Sequence, residues 1–391
     1  MTDPSIEKAL LPGFLNSEDQ KHLELVNGFV WNRHYINGWE WCDGIDKASW
    51  SEKQIGSFLS FLPFTKDSWD RSGQWLEKSQ GEYWSRTSAN AYQAKGNLDI
   101  AIDKLIEYGR PHAAIGCLGK MQYDKQNINV DQCVRALLAA LSSREHTYAR
   151  DDYNIVELIK FLQANNVVSQ DDLFRVEWAY LPLLDIHSGA TPKLLESRLS
   201  SDPEFFCEVL RLIYRTKKKD KPHKEPTAES KEIASNAWSL LHDWRIPPGM
   251  QEDGDFDGAN FSDWLHRVKK LCTESGHLEV ALVTIGEVLI HSPADPDGLW
   301  INRIIAETLN DRDSEDMRDG YSTGVYNSRG VHWVDPTGKP ETELAEKFRK
   351  KAEDVENAGF QRLAVTLRGL ADGYKREVER IIVEHKERDE S

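Results

Sequence analysis

The chain has 391 residues and a formal net charge of −16, with 65 acidic and 49 basic side chains. Phosphate is repelled by an acidic surface, so this balance argues against a nucleic-acid partner. No apolar run is long enough to cross a bilayer, and residues 1–20 lack the pattern of a secretory signal, so we expect a cytoplasmic protein without a membrane partner. The 5 cysteines are scattered and never form a C-x-x-C pair, which is typical of reduced, buried thiols.

The first segment, residues 1–84, is rich in tryptophan and is predicted to be helical. Trp39 and Trp41 are two residues apart, so on one helix they point in different directions. Both are core residues only if that helix is covered on more than one side; otherwise one ring is exposed and marks a recognition surface. The sequence alone leaves both roles possible for these two tryptophans, packing in the core or recognition of a partner. The predicted protein-binding residues are Trp39, Trp41, Trp50, Trp69 and Tyr92.

Helical periodicity dominates the next segments, 85–214 and 231–316. Apolar residues recur with the i, i+3, i+4, i+7 spacing of a helix with one buried face, for example in residues 130–141 and 261–272. The same spacing returns in the segment 341–391, at residues 360–378. Clean alternating strands are missing. The sequence therefore predicts an all-α fold.

A short pattern recurs within these helical segments: a glycine, an alanine five residues later, and a large apolar residue four residues after that. Glycine permits the sharp turn that ends a helix, and the small alanine allows two helices to approach closely. The large residue then fills the space one turn further on. The matching sets are Gly96, Ala101 and Leu105; Gly109, Ala114 and Leu118; Gly276, Ala281 and Ile285; and, partially, Gly359 and Ala364.

This pattern resembles tetratricopeptide repeats, which also carry a small residue and an aromatic upstream and a proline downstream. Ala89 and Tyr92 fill the upstream places, and Pro293 fills a downstream place. The resemblance is best over 85–108 and 262–293, but no regular period of about 34 residues continues through the chain. It implies a degenerate, right-handed solenoid of α-α hairpins, similar to tetratricopeptide and HEAT arrays, with an extended surface for a protein or peptide partner.

A second resemblance concerns segments such as LPFTKDSWDR and SDPEFFCEVLRLIYR. They look like the carboxy-terminal helical region of large bacterial multidomain proteins. This resemblance implies a sensor or scaffold part of a bacterial multidomain system, such as one concerned with defence, or a stand-alone relative of that part.

Two stretches interrupt the helices. Residues 215–230 are charged and contain prolines, which is typical of a linker. Residues 317–340 are rich in glycine and are predicted to be an irregular loop. Arg329, His332 and Asp335 lie close together in that loop and form a candidate polar site, which gives the alternative hypothesis of an enzyme or ligand-binding site there. The competing interpretation is that they are solvated loop residues.

The stretch QEDGDFDG resembles the first half of a calcium-binding EF-hand loop, through Asp253, Asp255, Asp257 and Gly258. The twelfth position, where calcium needs a bidentate glutamate, is Trp264. We therefore expect Asp257 or a neighbouring residue to cap a helix over 259–275 instead. No catalytic, metal or cofactor motif occurs elsewhere, so the sequence favours a non-catalytic, helical-repeat module that binds a protein or peptide.

Overall fold

The computed structural model of the chain describes residues 4–389 apart from 95, 186–187, 217–226, 252 and 331–333. Within these residues every regular element is a helix, and the only β-type contact is an isolated bridge between Met250 and Phe256. The prediction of an all-α fold is therefore confirmed. None of the described helices has the length and apolarity that crossing a membrane requires.

The chain divides into two compact units, Met1–Thr191 and Pro192–Ser391. The first unit contains the helices α1 Pro4–Leu15, α2 Gln20–Gly44, α3 Glu52–Ser60, α4 Lys66–Leu76, α5 Gly81–Trp84, α6 Leu98–Glu107, α7 Pro111–Tyr123, α8 Val130–Ala140, α9 Asp151–Gln163 and α10 Gln170–Ala179. The second contains α11 Lys193–Ser201, α12 Pro203–Ile213, α13 Ala228–His242, α14 Gly258–Ser275, α15 Leu278–Val288, α16 Arg303–Asn310, α17 Glu315–Asn327, α18 Lys339–Asn357 and α19 Gln361–Asp389.

The tryptophan-rich segment and the helices after it share one hydrophobic core. This core extends from Leu11 to Ala190. Tyr83 and Trp84 lie at the expected boundary between the two segments, and both are buried. The Trp84 ring is 6.3 Å from the ring of Phe64, and the Phe64 backbone N–H donates to the Gln93 side chain at 2.7 Å. The boundary between the two compact units falls after Thr191.

Helices α6 to α9 form two consecutive hairpins that lie side by side. Helix α6 packs against α7 and α8, and α7 packs against α8 and α9. The Gln132 side chain of α8 donates to the Asp99 carbonyl of α6 at 2.9 Å. The Gln122 side chain of α7 donates to the Glu157 carbonyl of α9 at 3.0 Å. Both hairpins are therefore held by polar contacts as well as by their apolar faces.

Two of the recurring glycines, Gly109 and Gly276, follow helices, as the sequence predicted. Gly109 has φ 73°, and Gly276 has φ 77° as the residue that ends α14. Backbones with positive φ are readily adopted only by glycine, which explains why glycine stands at these helix ends. The alanines of the pattern are completely buried, namely Ala101, Ala114, Ala281 and Ala364.

The first part of the glycine-rich stretch 317–340, which was expected to be an irregular loop, is helical. Helix α17 continues to Asn327, and its glycines lie where it crosses α15. A Cβ atom on Gly320 would lie 1.9 Å from the carbonyl oxygen of Val283. A Cβ atom on Gly286 would lie 2.0 Å from that of Met317. The glycines are present because the two helix backbones are in direct contact, not because the chain turns there.

The acidic stretch before α14 is a capping turn. The Asp257 carboxylate accepts hydrogen bonds from the backbone N–H groups of Ala259 at 2.9 Å and Asn260 at 3.0 Å. Trp264, at the position that would close a calcium loop, is buried in the core. The prediction that Asp257 caps this helix is confirmed.

Candidate functional site

The predicted aromatic residues occupy three different environments. Trp69 is a core residue, 5% exposed and 5.0 Å from the Phe64 ring, so a partner cannot reach it in this fold. Trp39 is half-buried between the Arg71 guanidinium, 4.0 Å from its ring centroid, and the His34 ring at 4.9 Å. The other three predicted residues line cavities: Trp41, Trp50 and Tyr92.

A kink explains why both Trp39 and Trp41 are half-buried. Gly38 has φ 64° and ψ −157°, which interrupts the helical backbone inside α2. The residues after the kink therefore do not continue the helical rotation of those before it. Trp41 lies against Phe58, with ring centroids 5.9 Å apart, while Trp39 faces Arg71.

Tyr92 lies on an open groove with a volume of about 760 Å³, which we call the tyrosine groove. Three segments line it: the turn before α6, helix α7 and the start of helix α9. Its lining residues are Ala89, Asn90, Ala91, Tyr92, Gly116, Gly119, Lys120, Tyr123, Arg150, Tyr153 and Asn154.

Three tyrosines around this groove are unusually exposed. The exposed fractions are 72% for Tyr92, 81% for Tyr123 and 66% for Tyr153. Tyrosine supplies a large, amphipathic contact area at low cost in side-chain entropy. Such a group of exposed aromatic rings is typical of a recognition surface.

Glycine shapes the floor of the groove on α7. A Cβ atom on Gly119 would lie 2.5 Å from the side-chain oxygen of Asn154, so the absence of a side chain lets α9 approach. Gly116 has open space where its Cβ would be. The side-chain amide of Asn154 makes no hydrogen bond within the described part of the chain, so this group can both donate to and accept from a ligand.

The charged side chains that line the groove are both basic, namely Lys120 and Arg150. Lys120 lies between two rings, with its Nζ 5.0 Å from the centroid of Tyr92 and 5.8 Å from that of Tyr123, and it also pairs with Asp124. Arg150 is exposed and forms no ion pair with any described residue. None of the described residues that line the groove is acidic.

A polar network fixes the segment that carries Arg150. The Arg110 guanidinium donates to Glu145 and to the Tyr148 hydroxyl, each at 2.8 Å, and to the Thr87 carbonyl at 2.6 Å. The Glu145 carboxylate also accepts the backbone N–H of His112 at 2.8 Å, which caps the amino-terminal end of α7. The loop between α8 and α9 is thus attached to the helix that forms the groove floor.

A buried histidine–carboxylate pair lies beside this network. His112 Nδ1 is 3.1 Å from the Asp151 carboxylate, and both side chains are buried. Burial raises the pKa of Asp151, and its hydrogen bond from the Tyr148 backbone and the neighbouring His112 oppose that rise. The pair connects the first turn of α7 to the first turn of α9. It therefore joins these two helix ends.

The candidate polar site of Arg329, His332 and Asp335 is not brought together in the described residues. Arg329 donates to Glu341 at 2.6 Å and lies 3.5 Å from Glu377. Asp335 instead accepts hydrogen bonds from the Thr337 backbone at 2.9 Å and hydroxyl at 2.8 Å, which forms a local turn. His332 lies outside the described residues. Both described members therefore have structural partners of their own.

Comparison with known proteins gives no match to a family model, to a curated protein or to a solved structure. The class of protein is therefore defined by the fold and the surface alone. It is an all-helical protein of two compact units, with an open, tyrosine-lined and locally basic groove on the first unit.

Sequence reasoning found only Tyr92 among the residues of the tyrosine groove. Tyr123 and Tyr153 follow it at intervals of about thirty residues, close to the length of one helical hairpin repeat. Tyr123 is the last residue of α7, whereas Tyr153 lies in the first turn of α9, so the two do not occupy equivalent positions of successive hairpins. Their approach to Tyr92 depends on the packing of α7 against α9, for which the sequence contains no local signal.

Proposed function

We propose that this chain is a non-catalytic binding module that takes an extended, acidic peptide segment of a protein partner in the tyrosine groove. The observation that supports this most directly is the composition of the groove. It combines three exposed tyrosines with Lys120 and Arg150, and no described carboxylate lines it, in a chain whose net charge is −16.

Each groove component has a role in this proposal. The tyrosine rings provide apolar area for side chains of the peptide, and their hydroxyl groups donate to its carbonyl oxygens. The Asn154 amide can bond to the peptide backbone, as asparagine does when it recognises an extended chain. Arg150 is available for a paired, charge-assisted hydrogen bond to a carboxylate of the peptide.

We also propose that the hairpins are arranged as a degenerate, right-handed α-α solenoid. The packing of α6 on α8 and of α7 on α9 supports this, because successive hairpins of such an array stack element on element. In this arrangement the tyrosine groove is a surface formed by consecutive repeats. A sensor or scaffold role in a larger assembly is consistent with such a surface.

Binding of defined peptides tests the function. Random twelve-residue peptides displayed on phage are selected against the full chain, and enriched sequences are synthesised with a fluorescent label. We expect enriched peptides to carry Asp or Glu and to bind the parent with a measurable anisotropy change. Tyr123→Ala and Arg150→Gln should each weaken binding at least about fivefold, the effect of losing a contact worth about 1 kcal/mol.

Matched variants separate the groove from the rest of the surface. Tyr35→Ala removes a tyrosine that is 82% exposed on α2, and Arg144→Gln removes an exposed arginine that does not line the groove. Both should bind as the parent does. Equal binding by parent, Tyr123→Ala and Arg150→Gln would refute the proposal, as would enrichment of basic peptides in place of acidic ones.

A further inference from the structure

A second cavity on the first unit has a different chemistry. Its volume is about 480 Å³, and we call it the tryptophan pocket. Two indole rings line it, those of Trp41 and Trp50, together with the carboxylate-bearing residues Glu7 and Asp46 and the apolar residues Leu11 and Ile45. The volume is within the range of small-molecule sites, which is about 300–1,000 Å³.

Packing behind the pocket holds both indole rings in place. The Phe58 ring is completely buried and lies 5.9 Å from Trp41 and 5.5 Å from Trp50. The rings are therefore fixed by a common core residue before any ligand binds. A preformed pair of indoles loses little side-chain entropy on binding.

A carboxylate acts directly on one of these indoles. Glu7 accepts a hydrogen bond from the Trp41 indole N–H at 3.2 Å, and its other oxygen accepts from Arg33 at 2.6 Å. A negatively charged acceptor at the N–H polarises the indole, which makes the ring face more attractive to a cation. Arg33 itself does not line the pocket, and its guanidinium lies 5.5 Å from the Phe29 ring.

The other charged residues near the pocket also favour a cationic ligand. Asp46 is exposed at the pocket, and its carboxylate accepts a hydrogen bond from the Ala48 backbone at 3.1 Å. The neighbouring Lys47 donates to the carbonyl groups of Cys42 at 2.8 Å and Ile45 at 2.9 Å, and it does not line the pocket. No lysine or arginine is among the described residues that line the pocket.

We propose that the tryptophan pocket binds a small organic cation of the alkylammonium class, held by Trp41 and Trp50 and attracted by Glu7 and Asp46. Indole faces bind quaternary ammonium groups more strongly than other aromatic rings do. The adjacent carboxylates add a Coulomb attraction that a neutral molecule of the same shape does not feel. This proposal concerns a different cavity from the tyrosine groove and does not depend on peptide binding.

Calorimetry and ligand-detected NMR with the full chain test it. The probes are choline and tetramethylammonium, with 3,3-dimethylbutan-1-ol as the neutral molecule of the same shape as choline. We expect saturable binding of both cations, and binding of the neutral alcohol at least about threefold weaker, as a cation–π contact of about 0.5–1 kcal/mol implies. Failure of both cations to bind at tens of millimolar, or equal binding of the alcohol, would overturn the proposal.

Three variants assign the binding to the pocket. Trp50→Leu should weaken cation binding and leave any weak binding of the alcohol largely unchanged. Asp46→Asn keeps the hydrogen bond to Ala48 and tests the charge without disturbing the core, so it decides the question even if Trp50→Leu does not fold. Glu40→Gln removes an exposed carboxylate outside the pocket and serves as its control. Cation binding that Asp46→Asn and Glu40→Gln change equally would show a general charge effect and refute the site.

Discussion

The substitution Gly320→Ala tests whether the backbones of α15 and α17 are in direct contact where the two helices cross. In an exposed helix interior, replacing glycine by alanine stabilises by about 1 kcal/mol. At Gly320 the new Cβ atom would lie 1.9 Å from the Val283 carbonyl oxygen and 2.7 Å from its carbon. Both atoms belong to a helix backbone, so neither can move away as the end of a flexible side chain can.

The expected magnitude follows from this geometry. A contact between carbon and oxygen normally needs more than 3 Å, so the two helices must separate by about 1 Å along their crossing. Overpacking of this kind costs about 1–3 kcal/mol, and here it exceeds the gain in helix propensity. We expect a net loss of about 2 kcal/mol, which for a unit of this size lowers the melting temperature by about 4–8 °C.

The assay is thermal unfolding followed by circular dichroism and by calorimetry, with Gly369→Ala as the matched control. Gly369 is an exposed residue inside α19, and a Cβ atom there would meet nothing within 4 Å. This control should melt about 2–4 °C above the parent, since it gains propensity without a clash. If Gly320→Ala melts at or above the parent temperature, α15 and α17 are not in backbone contact and the reasoning is wrong.

Three further predictions concern packing, capping and pH. Ala101→Leu should lose about 1–3 kcal/mol in urea unfolding, because Ala101 is completely buried between α6 and its neighbours; an unchanged midpoint would contradict this. Asp257→Ala should lose about 1 kcal/mol as a lost helix cap, and calorimetry of the parent should detect no calcium binding tighter than about millimolar. Burial raises the pKa of Glu287, so the folded form binds the proton more tightly and this residue's contribution to stability falls as pH rises above about 4.5. Glu287→Gln should therefore stabilise the protein at pH 7 and lose that advantage near pH 4. Urea midpoints of parent and variant at both pH values test this, and an equal stabilisation at pH 4 and pH 7 would contradict it.

Local signals predicted the helices well. The apolar spacing of residues 130–141 matches α8, and Asp257 caps the helix that follows it through its carboxylate. Gly109 and Gly276 have the positive φ that their place after a helix implied. These features depend on neighbours within a few residues, which is why a single sequence contains them.

Features that depend on distant residues were harder to read. Gly320 and Gly324 suggested a loop, because glycine lowers helix propensity and the close approach of α15 is not visible in the local sequence. Trp69 is a predicted binding residue, yet it lies against Phe64 in the core. Tyrosines separated by about thirty residues gave no periodic signal at the scale of one helix, although the fold places them around one groove.

The network around Arg110 has a consequence for how a ligand would change the motions of the chain. It attaches the Thr87 carbonyl, the start of α7 and the loop at Glu145 and Tyr148 to one guanidinium group. Opening of the tyrosine groove by separation of the segments that line it therefore breaks hydrogen bonds of this network. A ligand bound at saturating concentration, about 100 times its dissociation constant, adds about 2.7 kcal/mol to the free energy of that opening. Amide hydrogen exchange should accordingly slow by about a hundredfold in residues that exchange through this opening, across α7 and the start of α9, while amides that exchange by local fraying keep their rates.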